Sequence, residues 1–203
     1  MPLNYKVQAQ VIDLRYDNPK KEDIFLVDSN VWYWNAYTKA SFSAKDYQIT
    51  EYPSYISKVK YVQSLLLYCG LSLAELAHLI ESQERVSFSY TLRSKPKQYR
   101  HNYPVERTKV VTEVETVWDY VSSTAICTDI LIDEVTSNKA LTRFKTQLLD
   151  GYDLLILEAM NKAGVQQIIT DDGDYVTVPG IKVFTANKNA IDAARSQGKL
   201  LRR

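Results

Sequence analysis

The sequence predicts an α/β fold with a central, mainly parallel sheet and helices on both of its faces. Short apolar runs, Ile24–Val27 and residues 165–170, read as buried strands. Segments of helical periodicity fall between such runs, so strands and helices alternate along the chain. Acidic residues, Asp28 and Asp172, follow two of the runs, beyond the carboxyl ends of the strands where sites form in sheets of this kind.

Taken in order, residues 5–14 alternate apolar and polar, which predicts an extended arm or edge strand. A charged turn over 17–23 leads into the Ile24–Val27 strand, expected to be central. Asp28-Ser29-Asn30 breaks it, and a helix capped by Ser29 or Asn30 should carry Trp32, Tyr33, Trp34 and Tyr37, chiefly as core. Residues 52–68 predict a helix with Pro53 in its first turn, and Ser72 opens another that runs toward Arg85. Residues 88–109 are polar, aromatic and basic, as an exposed loop would be, followed by a helix over 107–121 and a short strand over 124–128. Helices are expected over 140–149 and 153–163, the second closed by Gly164. After the 165–170 strand come an acidic loop over 171–175, a strand over 181–184, and a last helix capped by Asn187. At 203 residues the chain suits one domain with an N-terminal arm (1–22) and an inserted middle segment (88–120).

Composition narrows the function. A 45 % hydrophobic content supports a substantial core, and a formal net charge of +1 means that a nucleic-acid site would have to be a local patch. Cys69 and Cys127 predict no disulfide framework and a reducing, cytoplasmic setting, and neither has zinc-ligand spacing. No signal peptide or membrane-length apolar run is read. His78 and His101 lack an acid–base partner in sequence, although His78 sits one turn beyond Glu75.

Four acids, Asp28, Glu75, Asp153 and Asp172, lie at the ends of apolar elements from which a common pocket is in reach. Grouped carboxylates repel one another and have few uses without a divalent cation. Each also has a structural explanation. Asp28 suits a turn, Ser72-x-x-Glu75 matches a capping box, Asp153 suits a helix start, and Asp171, Asp172 and Asp174 could form a solvated loop.

Their order decides the reading. Val27-Asp28-Ser29-Asn30, Ser72-Leu73-Ala74-Glu75-Leu76, residues 151–159 and Ile169-Thr170-Asp171-Asp172-Gly173-Asp174-Tyr175, followed by residues 179–183, resemble the PIN domain. That family includes the toxin ribonucleases of type II toxin–antitoxin systems. The resemblance covers about residues 24–85 and 125–197 and leaves 1–22 and 88–120 outside it. It implies a PIN-like three-layer α/β/α sandwich. It further implies Asp28, Glu75, Asp153 and Asp172 as catalytic, metal-binding acids, with Asp174 as a fifth acid at the metal. Thr170 would orient a neighbouring acid, and Asn30, or Ser29, matches the polar residue after the first Asp. The activity implied is Mg²⁺- or Mn²⁺-dependent hydrolysis of single-stranded RNA, with an antitoxin protein and a homodimer as the implied partners. Hard cations of this kind prefer oxygen ligands and keep several waters, one of which they acidify.

Substrate would be held by local charge. Lys95, Lys97 and Arg100 are the leading RNA-binding candidates, in a stretch that also holds Arg93, His101, Arg107 and Lys109 between Tyr90, Tyr99 and Tyr103. The basic C-terminus, from Lys188 to Arg203, is either an RNA contact or a soluble end. Two other functions compete. One is a catalytically inactive PIN-like module that binds RNA or protein. The other is a phosphatase- or receiver-like protein with Asp28 as nucleophile, which the absence of Asp-x-Asp after the first strand disfavours.

Overall fold

The structure, a computed structural model, describes residues 4–203. Its centre is a seven-stranded sheet, β1 (Gln10–Asp13), β2 (Ile24–Val27), β3 (Leu65–Cys69), β4 (Ile126–Thr128), β5 (Gln167–Ile169), β6 (Lys182–Thr185) and β7 (Leu200–Leu201). Every paired strand runs parallel, in the order β4-β3-β2-β5-β6-β1-β7. Among the described residues eight helices accompany the sheet: α1 (Ser29–Ala36), α2 (Asp46–Tyr61), α3 (Ser72–Phe88), α4 (Pro96–Asn102), α5 (Pro104–Thr124), α6 (Glu134–Phe144), α7 (Gly151–Lys162) and α8 (Lys188–Ser196). The result is the three-layer α/β/α sandwich expected.

Strand periodicity divides the core in two. Phe25 and Val27 of β2 point into a layer with α1, α2, α3 and α5, whereas Leu26 between them packs with α7 and α8. Trp32, Tyr33 and Tyr37 are buried in the first layer, so the aromatic cluster after Asp28 packs the core.

Several elements differ from expectation. The 5–14 arm contributes β1, which is no edge, since it lies between β6 and β7. Its alternation is that of a strand with both faces covered, Val7, Ala9 and Val11 on one side and Ile12 and Leu14 on the other. The helix expected over 52–68 is α2 from Asp46 to Tyr61 with Pro53 inside it, and the leucines after it form β3. A run such as Leu65-Leu66-Leu67 satisfies helix and buried-strand patterns equally. Gln63, at φ 60°, ends any helical continuation.

The exposed loop expected at 88–109 is mostly helical: a 3-10 turn at Tyr90–Leu92, then α4 and the start of α5. Leu92, Tyr99 and Val110 form a small buried cluster beneath its basic surface, and Tyr103 packs on Phe88 with ring centroids 5.0 Å apart. Those two tyrosines are therefore packed, and only Tyr90 of the three is exposed. The helix expected over 140–149 lies earlier, with Asp133 capping α6 through the Thr136 amide. Gly164 at φ +68° follows the end of α7, and the Asn187 side chain caps α8, both as expected. The C-terminal segment holds β7, and Arg203 forks onto Asp17 and Asp23, so its guanidinium is committed inside the fold. No helix among the described residues is long and apolar enough to cross a membrane.

Candidate active site

From β2 the chain moves outward to β3 and β4 on one side, and later to β5 and β6 on the other. The crevice between the carboxyl ends of β2 and β5 is thus the topological switch point of the sheet. Asp28 follows β2 there, and Thr170-Asp171-Asp172 follows β5.

The Thr170 hydroxyl donates to Asp28 Oδ2 at 2.6 Å and accepts the Asp172 amide at 2.9 Å. Asp172 Oδ1 in turn accepts the Asp174 amide at 2.8 Å, capping the 3-10 turn Gly173–Thr177. The doublet separates completely: Asp171 faces α2, where Tyr47, Gln48 and Tyr52 donate to its carboxylate. Asp172 is thereby the member of the pair linked to Asp28 through Thr170. Tyr5 lies over Gly173, where any Cβ would collide with its ring. The N-terminal arm therefore supports the site loop.

Two capping expectations are overturned. Asp28, not Ser29 or Asn30, is the N-cap of α1, and it makes no side-chain capping bond. Ser72 is the first residue of α3, after Leu71, and no capping box forms with Glu75. Glu75 instead receives the hydroxyl of Ser29 across the site. Asp153, in the first turn of α7, receives the buried Tyr175 hydroxyl at 3.0 Å.

The acids act on one another electrostatically. Burial first, then the charges of Glu75 and Asp172, push Asp28 up to about 7 against the relief of the Thr170 bond. Burial, Asp28, Asp172 and Asp150 push Asp153 up to about 9. Glu75, Asp172 and Asp174 are raised too, by burial before neighbouring acids. None of the five joins a salt bridge among the described residues. A sixth acid, Asp150, caps α7 through the amides of Tyr152 and Asp153 and bears on Glu75, Asp153, Asp172 and Asp174. Sequence reading missed it, although Asp150-Gly151 ahead of a helix is a capping signature.

In charge and donor type the group suits a hard divalent cation: all oxygen and anionic, with no member in a salt bridge among the described residues. Its spacing is looser. Among the described residues no three His, Cys, Asp or Glu side chains stand as a group able to hold an ion where they are.

A cleft of about 760 Å³ opens beside Glu75, the one of these acids that lines it, with Ser29, Asn30, His78, Arg100 and Arg107 among its other lining residues. Asn30 and the exposed His78 belong to its wall. Lys95 and Lys97 are exposed on α4 and its cap and do not line it, so of the three RNA-binding candidates the cleft includes Arg100 alone. Lys109 is paired with Glu106 on the surface of α5. No family model matches the sequence, and no curated protein matches it.

Proposed function

We propose that the protein is a metal-dependent endoribonuclease acting on single-stranded RNA, with Asp28, Glu75, Asp153 and Asp172 as the catalytic acids and Mg²⁺ or Mn²⁺ as cofactor. The observation that carries the reading is the meeting of Asp28 and Asp172 at the switch point of the sheet, joined through Thr170 and within electrostatic reach of Glu75 and Asp153. Carboxylates held at such cost in burial and mutual repulsion favour a charged ligand that relieves both.

The chain's own residues divide the work. Thr170 fixes the Asp28 carboxylate, and Ser29 fixes Glu75. Asp153, with its pKa near 9, keeps a proton at neutral pH until a positive charge displaces it. Asp174, on the 3-10 turn, would complete the acidic wall. A divalent cation bound by these oxygens would supply an acidified water and neutralise charge on the phosphodiester. The toxin role, an antitoxin partner and a homodimer form the wider part of this proposal, resting on the sequence resemblance.

The test is incubation of the purified protein with single-stranded RNA and Mn²⁺. Asp28→Asn and Asp172→Asn should each lower cleavage by roughly 100-fold or more. Equal cleavage by parent and variants would overturn the reading. The looser spacing of the acids favours a second one, a binding module that does not cleave. It predicts RNA binding that survives EDTA and no turnover with any metal.

A further inference from the structure

The far wall of the cleft carries an unusual ionic arrangement. Glu81, buried on α3, meets three guanidinium groups: Arg85 Nη1 at 3.4 Å, Arg100 Nε at 2.7 Å and Arg107 Nη1 at 3.2 Å. One carboxylate thus answers three positive charges. Arg85 is itself buried, and its Nε has no hydrogen-bond partner among the described residues. Arg100 and Arg107 come from different helices, α4 and α5, and their side chains are 44 % and 47 % exposed. Each gives one nitrogen to Glu81, and neither side chain makes another hydrogen bond among the described residues. Their remaining donors border the same cleft as Glu75 and Ser29.

We infer that Arg100 and Arg107, held together by Glu81, form a phosphate-binding subsite for the RNA strand beside the acid centre. This rests on the nuclease reading above and names where its substrate lies. Glu75 and Glu81 are six residues apart on α3, roughly 9 Å along the axis. Glu75, Glu81 and both arginines line one cleft, so the subsite lies beside the first of the acids. Two guanidinium groups sharing one buried carboxylate are pre-aligned, so little side-chain entropy is lost when a phosphate takes the free donors. The acids alone would repel a polyanion, and this surplus positive charge offsets that repulsion at the cleft. The segment that places both arginines, 88–120, is one of the two parts of the chain outside the family resemblance.

The experiment measures binding without cleavage. A labelled single-stranded oligoribonucleotide is titrated in EDTA with the full chain, with Arg100→Ala/Arg107→Ala, and with Lys58→Ala as a surface control. Thermal unfolding verifies that each variant is folded; Arg107→Lys is titrated as well, and the single Arg107→Ala variant replaces the double one if that one is not folded. The expected result is about tenfold weaker binding for the double variant. The slope of log affinity against log salt should become shallower by about 0.7 for each phosphate that is no longer neutralised. Arg107→Lys, which keeps the charge but not the fork, should weaken binding less and keep most of the slope. Unchanged affinity and slope would overturn the subsite and leave the arginines as neutralisers of Glu81. A parent chain that holds no oligonucleotide, or one from which polyglutamate competes RNA away at equal charge, would overturn it too. Cleavage with Mn²⁺ is scored separately, so loss of the nuclease reading is distinguishable from loss of the subsite.

Discussion

Thr170 and Asp28, 142 residues apart in sequence, are joined by a buried 2.6 Å hydrogen bond from the threonine hydroxyl to Oδ2. The bond links the ends of two adjacent parallel strands and sets the direction in which the Asp28 carboxylate points. Thr170→Val keeps the shape and removes the donor. It should cost about 1–3 kcal/mol if Asp28 is ionised, because a buried acceptor loses its partner. Cleavage should fall with it, and Thr170→Ser should restore most of both. Denaturant unfolding and RNA cleavage measured on the same preparations check this.

Stability should depend on pH through the same acids. Asp28 and Asp153 titrate near 7 and near 9 in the folded chain, against 3.8 for an ordinary aspartate. A raised folded-state value means that folding favours the protonated form. The stabilising contribution is therefore complete below about 3.8 and is lost as pH rises through about 7 for Asp28 and about 9 for Asp153. The thermal midpoint in EDTA should fall as pH rises across that window. Asp28→Asn and Asp153→Asn should flatten the fall. Added Mg²⁺ should raise the midpoint most at the alkaline end, since it favours the ionised form. A midpoint independent of pH and of both substitutions would contradict this account.

Arg203 binds Asp17 and Asp23 with four hydrogen bonds of 2.8–3.0 Å while its guanidinium lies 4.6 Å from the Phe184 ring centroid. Arg203→Ala would leave two buried carboxylates without a counter-charge, Asp17 being fully enclosed. The expected loss is roughly 3–5 kcal/mol, read by urea unfolding. Arg203→Lys should recover only part of it, because an ammonium cannot bridge both acids with paired bonds.

Gly173 owes its identity to Tyr5, whose ring occupies the space a Cβ would need. Gly173→Ala should displace the turn that carries Asp172 and Asp174, lowering both the thermal midpoint and cleavage. Tyr5→Ala should make room, so the double variant should lose less than the sum of the single ones. Additive losses would show that the clash with Tyr5 is not the cause.

Patterns carried by neighbouring residues are legible in the sequence. The strand at Ile24–Val27, the helix opening at Ser72, Gly164 after α7 and Asn187 before α8 are all local decisions of burial, capping or positive φ. Mixed signals are not legible in this way. Leu65-Leu66-Leu67 suits helix and strand alike, and only pairing with β2 and β4 decides for a strand. The basic surface of 88–109 hides residues that become core, with Val110, once α3 and α5 lie alongside. The Ser72-x-x-Glu75 motif is present but unused, because Leu71 holds the N-cap position and Ser72 is already the first helical residue; Glu75 receives the Ser29 hydroxyl instead.

By itself the sequence determined the fold class, since alternating apolar runs and amphipathic segments can bury their faces only as a sheet between helices. It also determined which acids lie at element ends. Tertiary structure decided the rest: β1 as an interior strand, Asp171 turned to α2 and Asp172 to the crevice, Asp150 drawn in among the acids, and Arg203 withdrawn from the surface. Each depends on partners more than a hundred residues away or on charges brought close by packing, and neither distance nor dielectric is written in local sequence.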